Sequence, residues 1–97
     1  MFRYIGVIHK EHDSDYGVSF PDFPGCITAG STIEEAKQMA YEALLFHIEG
    51  MLEDNEHLPM PSKFEEIVKS RDFDDGIAFL LVSVPDPVYS SCLQNAA

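Results

Sequence analysis

The groups in this 97-residue chain that could do chemistry are four histidines, two cysteines and seventeen acidic side chains. His9, His12, His47, His57, Cys26 and Cys92 show neither a C-x-x-C nor an H-x-x-x-H spacing, so the sequence predicts no metal site. His47 falls on the apolar stripe of a helix, where a core histidine is the plainer expectation. Asp13-Ser-Asp15-Tyr-Gly17 has the look of a calcium loop, but it lacks the third ligand before the glycine and lies between two strands. A hairpin loop is expected there instead. Cys26 follows a Pro-Gly turn, and nothing in the sequence pairs it with a base. No residue is assigned a catalytic role, and no cofactor is expected.

The remaining acids are best considered as charge. The chain carries a net charge of −11 with only six Lys and Arg. That balance argues against an autonomous nucleic-acid binder, which needs cations to displace counterions from phosphates. It suits either a solvated acidic surface or a basic protein partner. Met1-Phe-Arg-Tyr4 does not open a signal peptide, and the uninterrupted apolar runs are too short to span a membrane. Two cysteines make no disulfide framework, so a cytoplasmic location with reduced thiols is expected.

The elements that position these groups follow from periodicity. Phe2 to His9 alternates Phe2, Tyr4 and Ile8 on one face with Arg3, Ile5, Val7 and His9 on the other. Both faces are partly apolar, which predicts a central strand. Tyr16, Val18 and Phe20 mark a second strand. Pro21 cannot donate to a ladder, and Pro24-Gly25 forces a turn before a short return strand at Cys26-Ile27-Thr28. Asp22, between the two prolines, could make a polar contact on an exposed corner or an Asx-type bond to the backbone near Pro24; the latter is favoured. A helix should start at Ser31 with Glu34, or at Thr32 with Glu35, and run to about Asp54. Ile33, Ala36, Ala40, Ala43, Leu44, His47 and Met51 form its buried stripe. Glu35, Gln38, Glu42, Glu49 and Glu53 fall on the opposite face, flanked by Met39 and Phe46. The Leu58-Pro-Met-Pro-Ser62 loop precedes a short helix, Ser62-Lys-Phe-Glu65 to about Lys69. Ile77 to Val84 is nearly all apolar and predicts a strand buried on both faces. A helix crossing to such a strand predicts a parallel pairing with a right-handed crossover, strand one lying between strands two and four.

Tyr16-Gly-Val-Ser-Phe-Pro-Asp-Phe-Pro-Gly-Cys26, then Thr28-Ala-Gly-Ser-Thr-Ile-Glu-Glu-Ala36, Glu42-Ala-Leu-Leu-Phe-His-Ile-Glu-Gly50 and Leu58-Pro-Met-Pro-Ser62, in that order, resemble the HicB antitoxin family. The resemblance runs from about Tyr4 to Val84. It implies an α+β domain of partial ribonuclease-H-like β-β-β-α-β order over residues 1–86, with one helix on a small mixed sheet, a short extra helix and a tail at 87–97. It also implies a binding protein whose partner is a small basic ribonuclease toxin of the HicA type. Partner contacts are expected at Glu35, Glu42, Glu49 and Glu53 on the helix and at Asp22 on the corner shaped by Pro21, Pro24 and Gly25. A homodimer or tetramer is compatible with it. Many relatives continue into a DNA-binding segment, but residues 87–97 hold no Lys or Arg, so DNA binding by this chain alone is not expected. A ribonuclease-H-type two-metal site would need an acid in the middle of strand one. That strand has none, which leaves Asp86 without its partners and disfavours a nuclease. The remaining alternative is a standalone binding or scaffold module without a toxin.

Overall fold

The computed structural model describes residues 2–69 and 76–84. The elements are β1 (Phe2–Lys10), β2 (Tyr16–Ser19), β3 (Ile27–Gly30), α1 (Ile33–Glu53), α2 (Phe64–Lys69) and β4 (Gly76–Val84). They form one four-stranded sheet in the order β3-β2-β1-β4. β1 is central, as its two apolar faces require. Its alternation sends Tyr4 and Ile8 into the main core beneath α1, while Ile5 and Val7 form a second cluster with Ile67 of α2 on the other face.

Every strand pair is antiparallel, so the expected mixed sheet is corrected. The parallel crossover fails because α1 does not lead directly into β4. Residues 54–63 and α2 intervene, and Ile67 places α2 on the face of β1 opposite α1. The chain thus changes faces and ends before β4 enters. β4 also departs from expectation: it is an edge strand, with Ile77 57% and Leu81 65% exposed. Among the described residues the face of β4 away from α1 is only partly covered: Phe79 packs against Ile67 and Phe64, while Ile77 and Leu81 stay exposed.

Of the two helix starts, Thr32 is the cap: its side chain accepts from the backbone N–H of Glu35 at 3.0 Å. The Glu35 carboxylate reaches back to the Ser31 N–H at 3.0 Å, satisfying a further amide at the helix start. The stripe that reaches the core is Ala36, Ala40, Leu44 and Ile48, with Ala43 and Met51 partly buried against it. Ile33 was expected in that stripe but is 44% exposed, because it sits in the first turn beyond the sheet's cover. For α2, Ser62 is not the cap. Lys63 carbonyl accepts from Glu66 and Ile67, and the Glu66 side chain accepts from the Lys63 N–H.

Helix and sheet meet at Gly30. A Cβ built there would stand 2.5 Å from the Ala36 backbone nitrogen and 2.8 Å from its Cα. These are backbone atoms, so a side chain could be accommodated only by moving α1. Gly30→Ala should lower stability by about 1–3 kcal/mol, toward the upper end, measured by chemical denaturation. Gly25 differs in kind: its φ is +91° and nothing lies within 4 Å of a Cβ there. Gly25→Val should cost about 1–3 kcal/mol through backbone strain alone. A melt unchanged by either substitution would show that the site relaxes without cost.

Candidate partner-binding surface

The corner between β2 and β3 is two turns in series. The Phe23 N–H donates to the Phe20 carbonyl and the Cys26 N–H to the Phe23 carbonyl, each at 2.9 Å. Pro24 followed by Gly25 at positive φ is the pattern of a type II turn. Phe20, Phe23 and Cys26 point inward, while Pro24 and Gly25 remain exposed. Burial pushes the Cys26 thiol pKa up, which disfavours the reactive thiolate. A depression of about 180 Å³ lies at the corner, lined by Pro21, Phe23, Pro24 and Ile27 among others.

Asp22 does not make the favoured Asx-type bond near Pro24; its polar contact at the corner is to Ser62. Its carboxylate accepts two hydrogen bonds from Ser62, one from the backbone N–H at 2.9 Å and one from the hydroxyl. Nearby, the hydroxyl of buried Tyr4 donates to the Pro59 carbonyl at 2.7 Å. The Leu58–Ser62 segment is therefore strapped to β1 at one end and to the corner at the other. Met60, 74% exposed between its two prolines, is held outward. Tyr4, Phe23 and His47 stack edge to face beneath the strap, with centroids 4.7 and 5.8 Å apart. His47 is thus a partly buried packing residue, as its place on the stripe predicted.

The four glutamates Glu35, Glu42, Glu49 and Glu53 are all exposed along α1. Glu42 accepts from Gln38 at 3.4 Å. Among the described residues none of the four pairs with Lys or Arg, so their charge is uncompensated locally. Phe46 stands 79% exposed on the same helix and covers no part of the sheet. The structure therefore places Asp22 on the strap and the glutamates on the helix; it does not gather the five into one cluster.

Sequence reasoning missed the pair His9 and Ser19. Val7 pairs with Ser19 and His9 with Gly17 across β1 and β2, which brings His9 Nε2 to 2.9 Å from Ser19 Oγ. They border a depression of about 460 Å³ with Lys10, Glu11 and Ile27. The period-2 pattern put His9 on this face; only the strand register put Ser19 beside it. Among the described residues no group of His, Cys, Asp or Glu could hold a metal ion, and no helix is long and apolar enough to cross a membrane. Asp86 and Cys92 lie outside the described residues.

This α+β layout, one long helix over an antiparallel sheet, is shared with known proteins. The family described as "HicB_like antitoxin of bacterial toxin-antitoxin system" matches residues 4–92, and the chain belongs to that family. It is 40% identical over 60 residues to the antitoxin HicB of Escherichia coli K12, a match that covers 62% of this chain and 44% of that protein. It is 49% identical over 70 residues to an uncharacterised 14.9 kDa protein from the rep-hol intergenic region of Haemophilus phage HP1, covering 72% of this chain and 52% of that one. The chain thus spans about half the length of these relatives. The crystal structure of the Burkholderia pseudomallei antitoxin HicB superposes with a TM-score of 0.79 at 32% identity, over 91% of this chain and 67% of that one.

The strap yields a direct test. Asp22→Ala removes an acceptor of two charge-assisted hydrogen bonds, and the loss should be about 1–3 kcal/mol. Ser62→Ala, which keeps the backbone donor, should lose less. Equal stability of Asp22→Ala and the parent in urea titrations would mean that the strap contributes nothing to the fold.

Proposed function

We propose that this chain is the antitoxin of a toxin–antitoxin pair, and that it binds and sterically neutralises a small basic ribonuclease toxin of the HicA type. The observation that carries this is the family match across residues 4–92. A solved toxin–antitoxin complex from Streptococcus pneumoniae contains a chain similar to this one, with a TM-score of 0.68 and 26% identity over 90% of this chain and 71% of that one. The chemistry of the surface supports the same reading. A net charge of −11, with four exposed glutamates on α1 that pair with no Lys or Arg among the described residues, suits a cationic protein and not a nucleic acid. Inhibition requires only that the bound domain cover the toxin's catalytic surface, so no residue of this chain does chemistry. The pair would act in the cytoplasm.

Glu35, Glu42, Glu49 and Glu53 steer the encounter, with Asp22 contributing from the corner. Exposed charges change association more than dissociation. Replacing the four glutamates by glutamine should slow association with the cognate toxin about tenfold at low salt and flatten its salt dependence. The dissociation rate should change less. Glutamine at position 35 retains the acceptor for the Ser31 N–H, so folding should be little affected. Stopped-flow kinetics at two ionic strengths checks this. Association as fast as the parent's at low salt would move the contact to the Pro-Gly corner or the strand edges.

A further inference from the structure

Phe46 is the most exposed of the large apolar side chains among the described residues, 79% open to solvent in the middle of α1. Helical spacing sets it on a seam. Glu42, Glu49 and Glu53, at i−4, i+3 and i+7, fall on one flank of Phe46, while Met39 and Gly50, at i−7 and i+4, fall on the other. Met39 is itself 39% exposed. Nothing lies within 4 Å of a Cβ placed at Gly50, so packing does not require a glycine there. A glycine inside a helix is less stable than an alanine. At this position it leaves an open notch one turn along the helix from Phe46. An exposed ring beside carboxylates that pair with no Lys or Arg among the described residues serves neither the core nor solubility.

We propose that Phe46 is the anchor of the toxin contact, and that it receives an arginine of the basic partner, with Glu42 and Glu49 holding the guanidinium over the ring and Gly50 admitting the partner's backbone. The proposal rests on the antitoxin reading above and adds to it the residue that retains the partner. The glutamates bring a cationic protein in; the desolvated ring keeps it. Arginine fits this seam better than lysine, because its flat guanidinium stacks on an aromatic face while its edge donates to carboxylates. Charge also excludes a second copy of this chain. Two α1 helices meeting at Phe46 would bring their own glutamate rows together, on chains that each carry −11.

The probe is the cognate HicA-type toxin, freed from the co-expressed complex and returned to the full chain. Phe46→Ala should speed dissociation about thirtyfold and change association little, the reverse of the glutamate variants. Phe46→Leu keeps apolar area without a ring face, and should still speed dissociation about tenfold. Circular dichroism and the melt should be unchanged by either, since the side chain is exposed. Gly50→Ala should raise the melting temperature yet weaken toxin binding, a pair of opposite effects that a structural role does not produce. The chain contains no tryptophan, so Phe46→Trp installs a single fluorophore that keeps the aromatic face. Its emission, corrected with the parent complex, should shift on adding toxin. Toxin binding that ignores Phe46→Ala, or a tryptophan emission unmoved by bound toxin, overturns the anchor while the antitoxin reading stands. Full retention by Phe46→Leu overturns the arginine. An emission that shifts with the chain's own concentration and not with toxin gives the seam to a second copy and overturns the proposal. A parent that binds no toxin at all removes the antitoxin reading and this inference together.

Discussion

The backbone of α1 rests directly on the backbone of β3, and the rest of the domain is arranged around that contact. With no side chain at Gly30, the first turn of the helix can approach until the Ala36 nitrogen lies 2.5 Å from where a Cβ would be. Ala36 and Ala40, both fully buried, continue the close approach, and Leu44 and Ile48 then fill the widening gap. Thr32 and Glu35 fix the start of the helix two residues beyond Gly30. Close packing at one end thereby aims a 21-residue helix along the sheet, and its outward face, with the four glutamates, follows from that aim.

The lower end of the sheet is held by polar contacts instead. Tyr4 and Asp22, from β1 and the corner, each bind the Leu58–Ser62 segment. Their partners are a proline carbonyl and a serine, 55 and 40 residues away in sequence. Each buried polar group finds its partner, so the cost of leaving water is offset. The strap closes the core under the Tyr4, Phe23 and His47 rings. It also carries the chain from the α1 face toward α2 on the other side, which makes β4 antiparallel.

The Cys26 thiol is buried with its pKa raised, and His9 meets a serine hydroxyl on an open sheet face. What the surface offers a partner is charge along one helix and a rigid corner with an outward methionine.

Local grammar determined much of this by itself. The Pro24-Gly25 turn, a helix start at Ser31 or Thr32, the length of α1 and the central place of β1 were legible because each rests on residues within a few positions of one another. His47 followed from spacing alone. Ser62 shows the opposite case: local spacing made it a cap for α2, but a carboxylate 40 residues distant holds it. The direction and exposure of β4 also escaped the pattern. An apolar run reads the same whether it is covered on two faces or lies at an edge, and only the path of α2 across the sheet decides which. The His9–Ser19 pair and the Tyr4–Pro59 bond depend on register and on a returning loop. Tertiary structure alone decides such contacts, because their geometry is set by segments that meet only when the chain has folded.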